Sequence, residues 1–273
     1  MMSITSPNDT MQVDVQDGVA HVIFNRPSSL NALNEELTVA LNDITTQIRD
    51  EASVRCVVLS GAGDHFMAGG DVKTFHEKLE AEPDRTARRH YFENLINSFH
   101  VGLANMRAMP QPIVGKIRGA AAGAGVSLVL ACDLAIASED AFFTLAYCHL
   151  GTSPDGGSTF SLPRATGMKR AMEIALLGDR FDAATAEKWG LINKVVAGDA
   201  LDDEVNALAA RLAVGPTRAY AHTKALLNQS LSSTLMEQLD AETQGFTDCA
   251  TSDDFAEGVG AFVGKRKPEF NGS

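Results

Sequence analysis

Three short apolar runs, each followed by a glycine-rich loop, constrain this chain more than any other feature. Residues 54–59 (VRCVVL) lead into Ser60-Gly61-Ala62-Gly63, residues 112–117 (PIVGKI) into the small-residue stretch 119–128, and residues 141–145, with Phe142 and Phe143, into the loop 151–158. Brief β-branched or aromatic runs bounded by glycine read as buried strands that end in turns. Residues 133–137 read as a further strand. Ahead of them, residues 11–25 read as a hairpin, because Val13 and Val15 alternate, Asp17-Gly18 is a tight-turn pair and residues 19–24 resume an apolar run. Leu37, Leu41, Ile44 and Ile48 then recur at helical spacing behind Asn34 as N-cap, with Glu35 and Glu36 in the first turn. Strand, helix and strand in this order predict an α/β architecture.

From Asp71 to Met109 the sequence is helix-forming and charged, and its path is not readable. Residues 169–177 closed by Gly178, and 182–189 closed by Gly190, predict two helices with glycine C-caps. Leu201, Val205, Leu208 and Leu212 keep the helical period up to Gly215-Pro216, and 217–228 and 231–248 follow as helices. The chain is thus expected to divide into a core, residues 1–200, and a helical region, 201–273, that packs outside the core or on a neighbouring subunit.

Glycine loops after strands suggest phosphate cradles first, and those readings fail. No G-x-x-x-x-G-K-[ST] occurs, and Gly123-x-Gly125 has Leu128 in place of a third glycine and no acidic residue about 20 positions on to meet a ribose. Gly151-Thr152-Ser153-Pro154-Asp155 does not complete G-x-S-x-G, and the proline would remove an N–H that an oxyanion hole needs. What remains is a set of loops whose glycines open backbone N–H groups at strand-to-helix junctions, and two such donors can bind one oxyanion. Tight turning alone would also explain any one of them.

Composition narrows the partners. A net charge of −12 over 273 residues repels phosphate backbones and anionic membranes, so nucleic acid and membrane surfaces are poor partners. Four cysteines stand far apart without a C-x-x-C pair, as buried thiols in a reducing compartment do, and no metal site is expected. The N-terminal stretch lacks the basic and apolar regions of a signal peptide, and the uncharged run 119–132 is shorter than the ~20 residues of a membrane span. A cytoplasmic location is expected.

The order of motifs carries a resemblance. Asn25-Arg26-Pro27 with Asn31-Ala32-Leu33, Val57 to Gly61 leading to Phe66-Met67-Ala68-Gly69-Gly70-Asp71-Val72-Lys73, the run from Gly119 to Asp133, the loop from Leu150 to Ser158, and the tail with Glu257-Gly258-Val259 and Lys265-Arg266-Lys267-Pro268 resemble the crotonase (enoyl-CoA hydratase/isomerase) superfamily over nearly the whole chain. The resemblance implies an α/β spiral of ββα units with a C-terminal helical trimerisation region, a homotrimer or a dimer of trimers, and an acyl-CoA thioester as substrate. Coenzyme A arrives as part of that substrate, so no separate cofactor is expected. It further implies an oxyanion hole from the N–H groups of Ala68 and Ala124, and contacts to the substrate from Ala32, Gly69, Gly70, Asp71, Gly123, Ser127 and Tyr147. Lys73 and Lys265, and Arg26 near the first motif, are the candidate phosphate partners.

One departure from the family pattern matters. Hydratases of this family carry two glutamates, and Ser127 and Tyr147 stand at those positions here. Adding water needs a base and a proton source, and neither side chain ionises readily at neutral pH. A carboxylate appears instead at Asp155, where family isomerases, and above all the ring-opening isomerase branch of phenylacetyl-CoA catabolism, carry an acidic residue. A Pro-Asp-Gly sequence is also an ordinary turn signal. The expectation is an enoyl-CoA isomerase with Asp155 as base and acid; a hydratase or hydrolase with unusual acid–base groups, and an acyl-CoA binding protein without chemistry, are the alternatives. His149 is set aside as a structural histidine.

Overall fold

The computed structural model describes residues 4–273. Strands β1 (Met11–Gln16) and β2 (Val19–Phe24) form the hairpin, turning on Asp17 and Gly18 at φ 51° and 77°. Both central residues are left-handed, as the tight two-residue turn requires. A 3-10 turn (Pro27–Ser29) leads to α1 (Glu35–Asp50), whose N-cap Asn34 accepts the Leu37 N–H at 3.0 Å. Leu37, Leu41, Ile44 and Ile48 are all buried, each worth about 1.5–3 kcal/mol of gross hydrophobic stabilisation.

The chain continues through β3 (Cys56–Gly61), α2 (Val72–Ala81), α3 (Arg85–Ala108), β4 (Ile113–Ile117), β5 (Ala120–Ala122), α4 (Ala124–Ala131), β6 (Leu134–Ser138) and β7 (Phe142–Thr144). After a second 3-10 turn (Tyr147–Leu150) come α5 (Ser158–Thr166), α6 (Met168–Leu177), β8 (Phe181–Asp182), α7 (Ala183–Trp189) and β9 (Lys194–Val196). Asp182 caps α7, and Gly178 and Gly190 close α6 and α7 in left-handed conformations. Six strands form the main sheet in the order β1-β2-β3-β4-β6-β9, parallel except at the hairpin, and β5, β7 and β8 form a small second sheet. Three strands were not foreseen. β5 is three alanines, and β8 and β9 are too short to show a period.

The C-terminal helices divide in two. In α8 (Leu201–Ala213), Leu201, Val205, Ala209 and Ala213 bury against Val19, Cys56, Val58, Val114 and Ile136 on the second face of the main sheet. This helix is therefore a layer of the core. Beyond it, α9 (Thr217–Gln229), α10 (Leu235–Ala250) and α11 (Asp253–Val263) are tied on by polar clamps. Lys224 on α9 donates to Asp133 Oδ2 at 2.8 Å and to the carbonyls of Met106 and Gln111, and Arg55 at the start of the core donates to Thr217 Oγ1 at 2.9 Å and to the Gly215 and Phe270 carbonyls. No helix among the described residues is long and apolar enough to cross a membrane.

Candidate active site

Two glycine-rich loops meet beside α4, and hydrogen bonds stitch them together. Buried Asn31 holds the first: its Nδ2 donates to the carbonyls of Ala62 (3.0 Å) and His65 (2.8 Å), and its Oδ1 accepts the Arg26 N–H at 2.9 Å. Downstream, Phe66 N–H donates to Arg118 O, Met67 N–H to Ala120 O, and Ala122 N–H to Met67 O, which makes a parallel bridge between Met67 and Ala121. His65 Nδ1 accepts the Ala120 N–H at 3.1 Å. A Cβ at Gly125 would lie 2.3 Å from the Met67 carbonyl oxygen, so only glycine permits this approach.

Hydrogen-bond direction decides which amides of these loops are free. Ala68, expected as an oxyanion donor, gives its N–H to the Leu30 carbonyl at 3.0 Å and is not available. The bridge to Leu33 uses the Gly69 carbonyl and the Asp71 N–H, so the Gly70 N–H between them points to the opposite side and has no acceptor among the described residues. Ala68 is thus replaced as candidate donor by Gly70, which the sequence placed only among substrate contacts; the Gly69 N–H likewise has no acceptor among the described residues. In the second loop Gly123, at φ 50°, caps α4, and its carbonyl takes the N–H groups of Val126 and Ser127. Ala124, the first residue of the helix, keeps its N–H unpaired, as helix starts do. The loops touch closely enough that a Cβ on Gly123 would lie 3.5 Å from Gly69 Cα and 3.9 Å from the Tyr147 ring.

Asp155 meets the hydroxyl of that ring. Its Oδ1 accepts the Tyr147 hydroxyl at 2.5 Å, and its backbone carbonyl accepts Ser127 Oγ at 3.1 Å and Ser158 Oγ at 2.8 Å. Burial, and then the neighbouring Asp155 charge, push the Tyr147 phenol well above its usual range, so it stays a neutral donor. Ser127 is fully buried and points its hydroxyl at the loop that carries Asp155. One carboxylate, one phenol and one serine are thus gathered at the start of α4, with the Tyr147 ring against Gly123.

The other expected contacts are placed differently. Ala32 donates its N–H to Ser29 O and its carbonyl accepts Arg26, which leaves a ligand only the second lone pair of that carbonyl. Arg26 is itself engaged by Asp71 Oδ2 at 2.8 Å, and Asp71 caps α2 by accepting the Thr74 N–H. Both terminal nitrogens of Arg26 are thus engaged within the protein. Lys73 and Lys265 are exposed with no ion-pair partner among the described residues, and no hydrogen bond joins either ammonium to the Asp155 centre. His149 Nε2 lies 3.1 Å from the Leu177 carbonyl at the end of α6, a structural contact. The sequence reading missed His100 on α3, whose Nε2 accepts the Gly156 N–H at 3.2 Å; no local pattern in α3 marks it. No group of three or more His, Cys, Asp or Glu side chains among the described residues could hold a metal ion.

The comparisons agree on the family, with isomerase and hydratase names both among the relatives. A family model described as enoyl-CoA hydratase/isomerase matches residues 14–273. The 1,2-epoxyphenylacetyl-CoA isomerase of Escherichia coli K12 is 37% identical over 259 residues, covering 94% of this chain and 97% of its own. A peroxisomal Delta(3,5)-Delta(2,4)-dienoyl-CoA isomerase of Arabidopsis thaliana is 31% identical, with 96% of each chain covered. Among solved structures, an enoyl-CoA hydratase from Polaromonas sp. JS666 superposes with a TM-score of 0.89 at 31% identity, covering 96% of this chain and 99% of that one.

Proposed function

This chain belongs to the enoyl-CoA hydratase/isomerase family of acyl-CoA enzymes and has its crotonase fold, and within that family we propose that it is an isomerase, moving a double bond through a thioester enolate. The observation that carries the proposal is the single carboxylate, Asp155, gathered with Tyr147 and Ser127, the two residues that stand where the resemblance places the hydratase glutamates. Asp155 takes a proton from the carbon next to the thioester, and the electron pair moves onto the thioester oxygen. The Gly70 and Ala124 N–H groups hold that oxygen; donors of this kind are worth about 2.7–4 kcal/mol each. The same carboxylic acid returns the proton to the γ carbon, and the double bond ends in conjugation with the carbonyl.

Coenzyme A enters with the substrate, and no further cofactor takes part. Lys73 and Lys265 are the free cations proposed for its phosphates. The exposed apolar faces of α9 to α11 support a homotrimer or a dimer of trimers, with association in these helices and the core extended from the expected 1–200 to take in α8. Four unpaired thiols fit a cytoplasmic enzyme. A hydratase that uses Asp155 with Tyr147 is the second reading, favoured by structural neighbours that carry that name.

The test is turnover of 3-enoyl-CoA and 2-enoyl-CoA by the wild type and by Asp155→Asn, with the product mass measured. The expected result is a migrated double bond at unchanged mass, lost in the variant. Gain of one water from the 2-enoyl substrate would establish the hydratase instead, and full turnover by Asp155→Asn would remove Asp155 from the mechanism.

A further inference from the structure

Resting on the isomerase reading, we infer that His100 is the positioning residue of Asp155: its neutral imidazole accepts the Gly156 N–H and so fixes the direction in which the Asp155 carboxylate points.

The loop that carries Asp155 has little stiffness of its own, because Gly156 and Gly157 follow it at φ 62° and 72°. Its geometry is imposed by its neighbours. The peptide plane joining Asp155 to Gly156 has the Asp155 carbonyl at one end and the Gly156 N–H at the other. Ser127 and Ser158 hold the carbonyl end, and His100 holds the N–H end at 3.2 Å. With either end released the loop backbone would be free to shift at Asp155, and the carboxylate would move with its Cα relative to the Gly70 and Ala124 donors. Anchors at both ends fix the loop backbone, and His100 is the one at the N–H end.

Packing supports the same role. A Cβ on Gly156 would fall 2.7 Å from a Phe99 ring carbon and 2.7 Å from Ser127 Cβ, so α3 and α4 grip the loop from both sides. Phe99 is fully buried and sets the rotation of α3, which in turn presents His100 to the loop. A backbone N–H can only donate, so Nε2 carries the lone pair and the ring proton sits on Nδ1. Gly156 is buried, and without His100 its N–H has no acceptor among the described residues. The Tyr147 hydroxyl orients only the carboxylate oxygen and leaves the peptide plane free to turn.

The test compares His100→Leu, which removes the acceptor, with His100→Gln, which restores one. Each is read by kcat and KM on 3-enoyl-CoA and by exchange of the α hydrogens of a saturated acyl-CoA in D2O, which reports proton removal alone. His100→Leu is expected to lower kcat by about 10- to 100-fold, as a small misplacement of a reacting group does, with KM changed less than about twofold. Exchange should slow in parallel while the melting midpoint holds, and His100→Gln should recover most of both rates. Wild-type kcat in His100→Leu, a loss carried by KM, or a glutamine variant as impaired as the leucine one would overturn the inference. Should His100→Leu not fold, His100→Ala with added imidazole replaces it: recovered turnover supports the role, and none overturns it. An active Asp155→Asn would sink the isomerase reading itself, whereas an inactive Asp155→Asn beside a wild-type His100→Leu would sink this inference alone.

Discussion

Tyr147 and Asp155 share a 2.5 Å hydrogen bond in which the phenol is the donor. Because burial and the adjacent charge hold the phenol above its ordinary value, it keeps its proton well past neutrality. The kcat profile is therefore expected to be level between about pH 7 and 9. Tyr147→Phe should lower kcat by about tenfold, the size of one hydrogen bond to a charged group, without changing the shape of that profile. An alkaline limb present in the wild type and absent from the phenylalanine variant would contradict this. At Gly125 a Cβ would lie 2.3 Å from the Met67 oxygen, so Gly125→Ala should push the two donor loops apart. Chemical denaturation and turnover are both expected to show a loss. At this scale sequence and structure part in an instructive way. Asp155 stood out because its residue type departs from the family pattern where the glutamates are missing, and Ala124 because it matches an oxyanion-hole position of the family; the structure adds that Ala124 opens α4. Ala68 misled because hydrogen-bond direction alternates residue by residue along the loop and depends on the partner, here Leu30, 38 positions away in sequence. His100 left no trace, since its partner Gly156 is far along the chain.

Among elements, α2 shows how a cap joins local to tertiary structure. Burial alone would raise the Asp71 carboxyl, but hydrogen bonds from Arg26 and the Thr74 amide outweigh it and hold the group below its ordinary value. A carboxyl depressed by folding contributes stability that is present above its unfolded pKa and is lost as pH falls through the folded one. Asp71→Ala should therefore destabilise the protein at neutral pH, the cap alone contributing about 1 kcal/mol, and the gap to wild type should narrow in acid. Asp71→Asn, which keeps the cap and loses the charge, should fall between them in a urea titration. The elements with a clear period or stop signal were legible: α1 with its Asn34 cap, the hairpin with its Asp17-Gly18 turn, and the glycine-closed α6 and α7; the longest helix, α3, was not, because its charged sequence shows no clear stripe. The strand of Ala120, Ala121 and Ala122 was not, because alanine has no strand preference and only its neighbours β7 and Met67 make it one. The helical tail was legible as helix, while α8's place on the sheet was not, since an apolar stripe does not say which surface it covers.

For the whole molecule, the tail leaves a large apolar surface uncovered. Phe262 is 87% exposed, and Val263, Leu235, Met236 and Phe246 stand open with it on α10 and α11. Patches of this kind mark contact surfaces. Light scattering is expected to give a mass several times the 29.0 kDa of one chain, and Phe262→Asp should reduce it; a wild-type monomer would refute the assembly. The bonds of Met67 with Ala120 and Ala122 have a wider consequence. They make the two amide donors one rigid unit, joined by backbone hydrogen bonds that need no particular side chain. Side chains of α2 and α3 other than Phe75, Phe99 and His100 can change while the two donors stay in place. Such a chain can change its diet without relearning its chemistry.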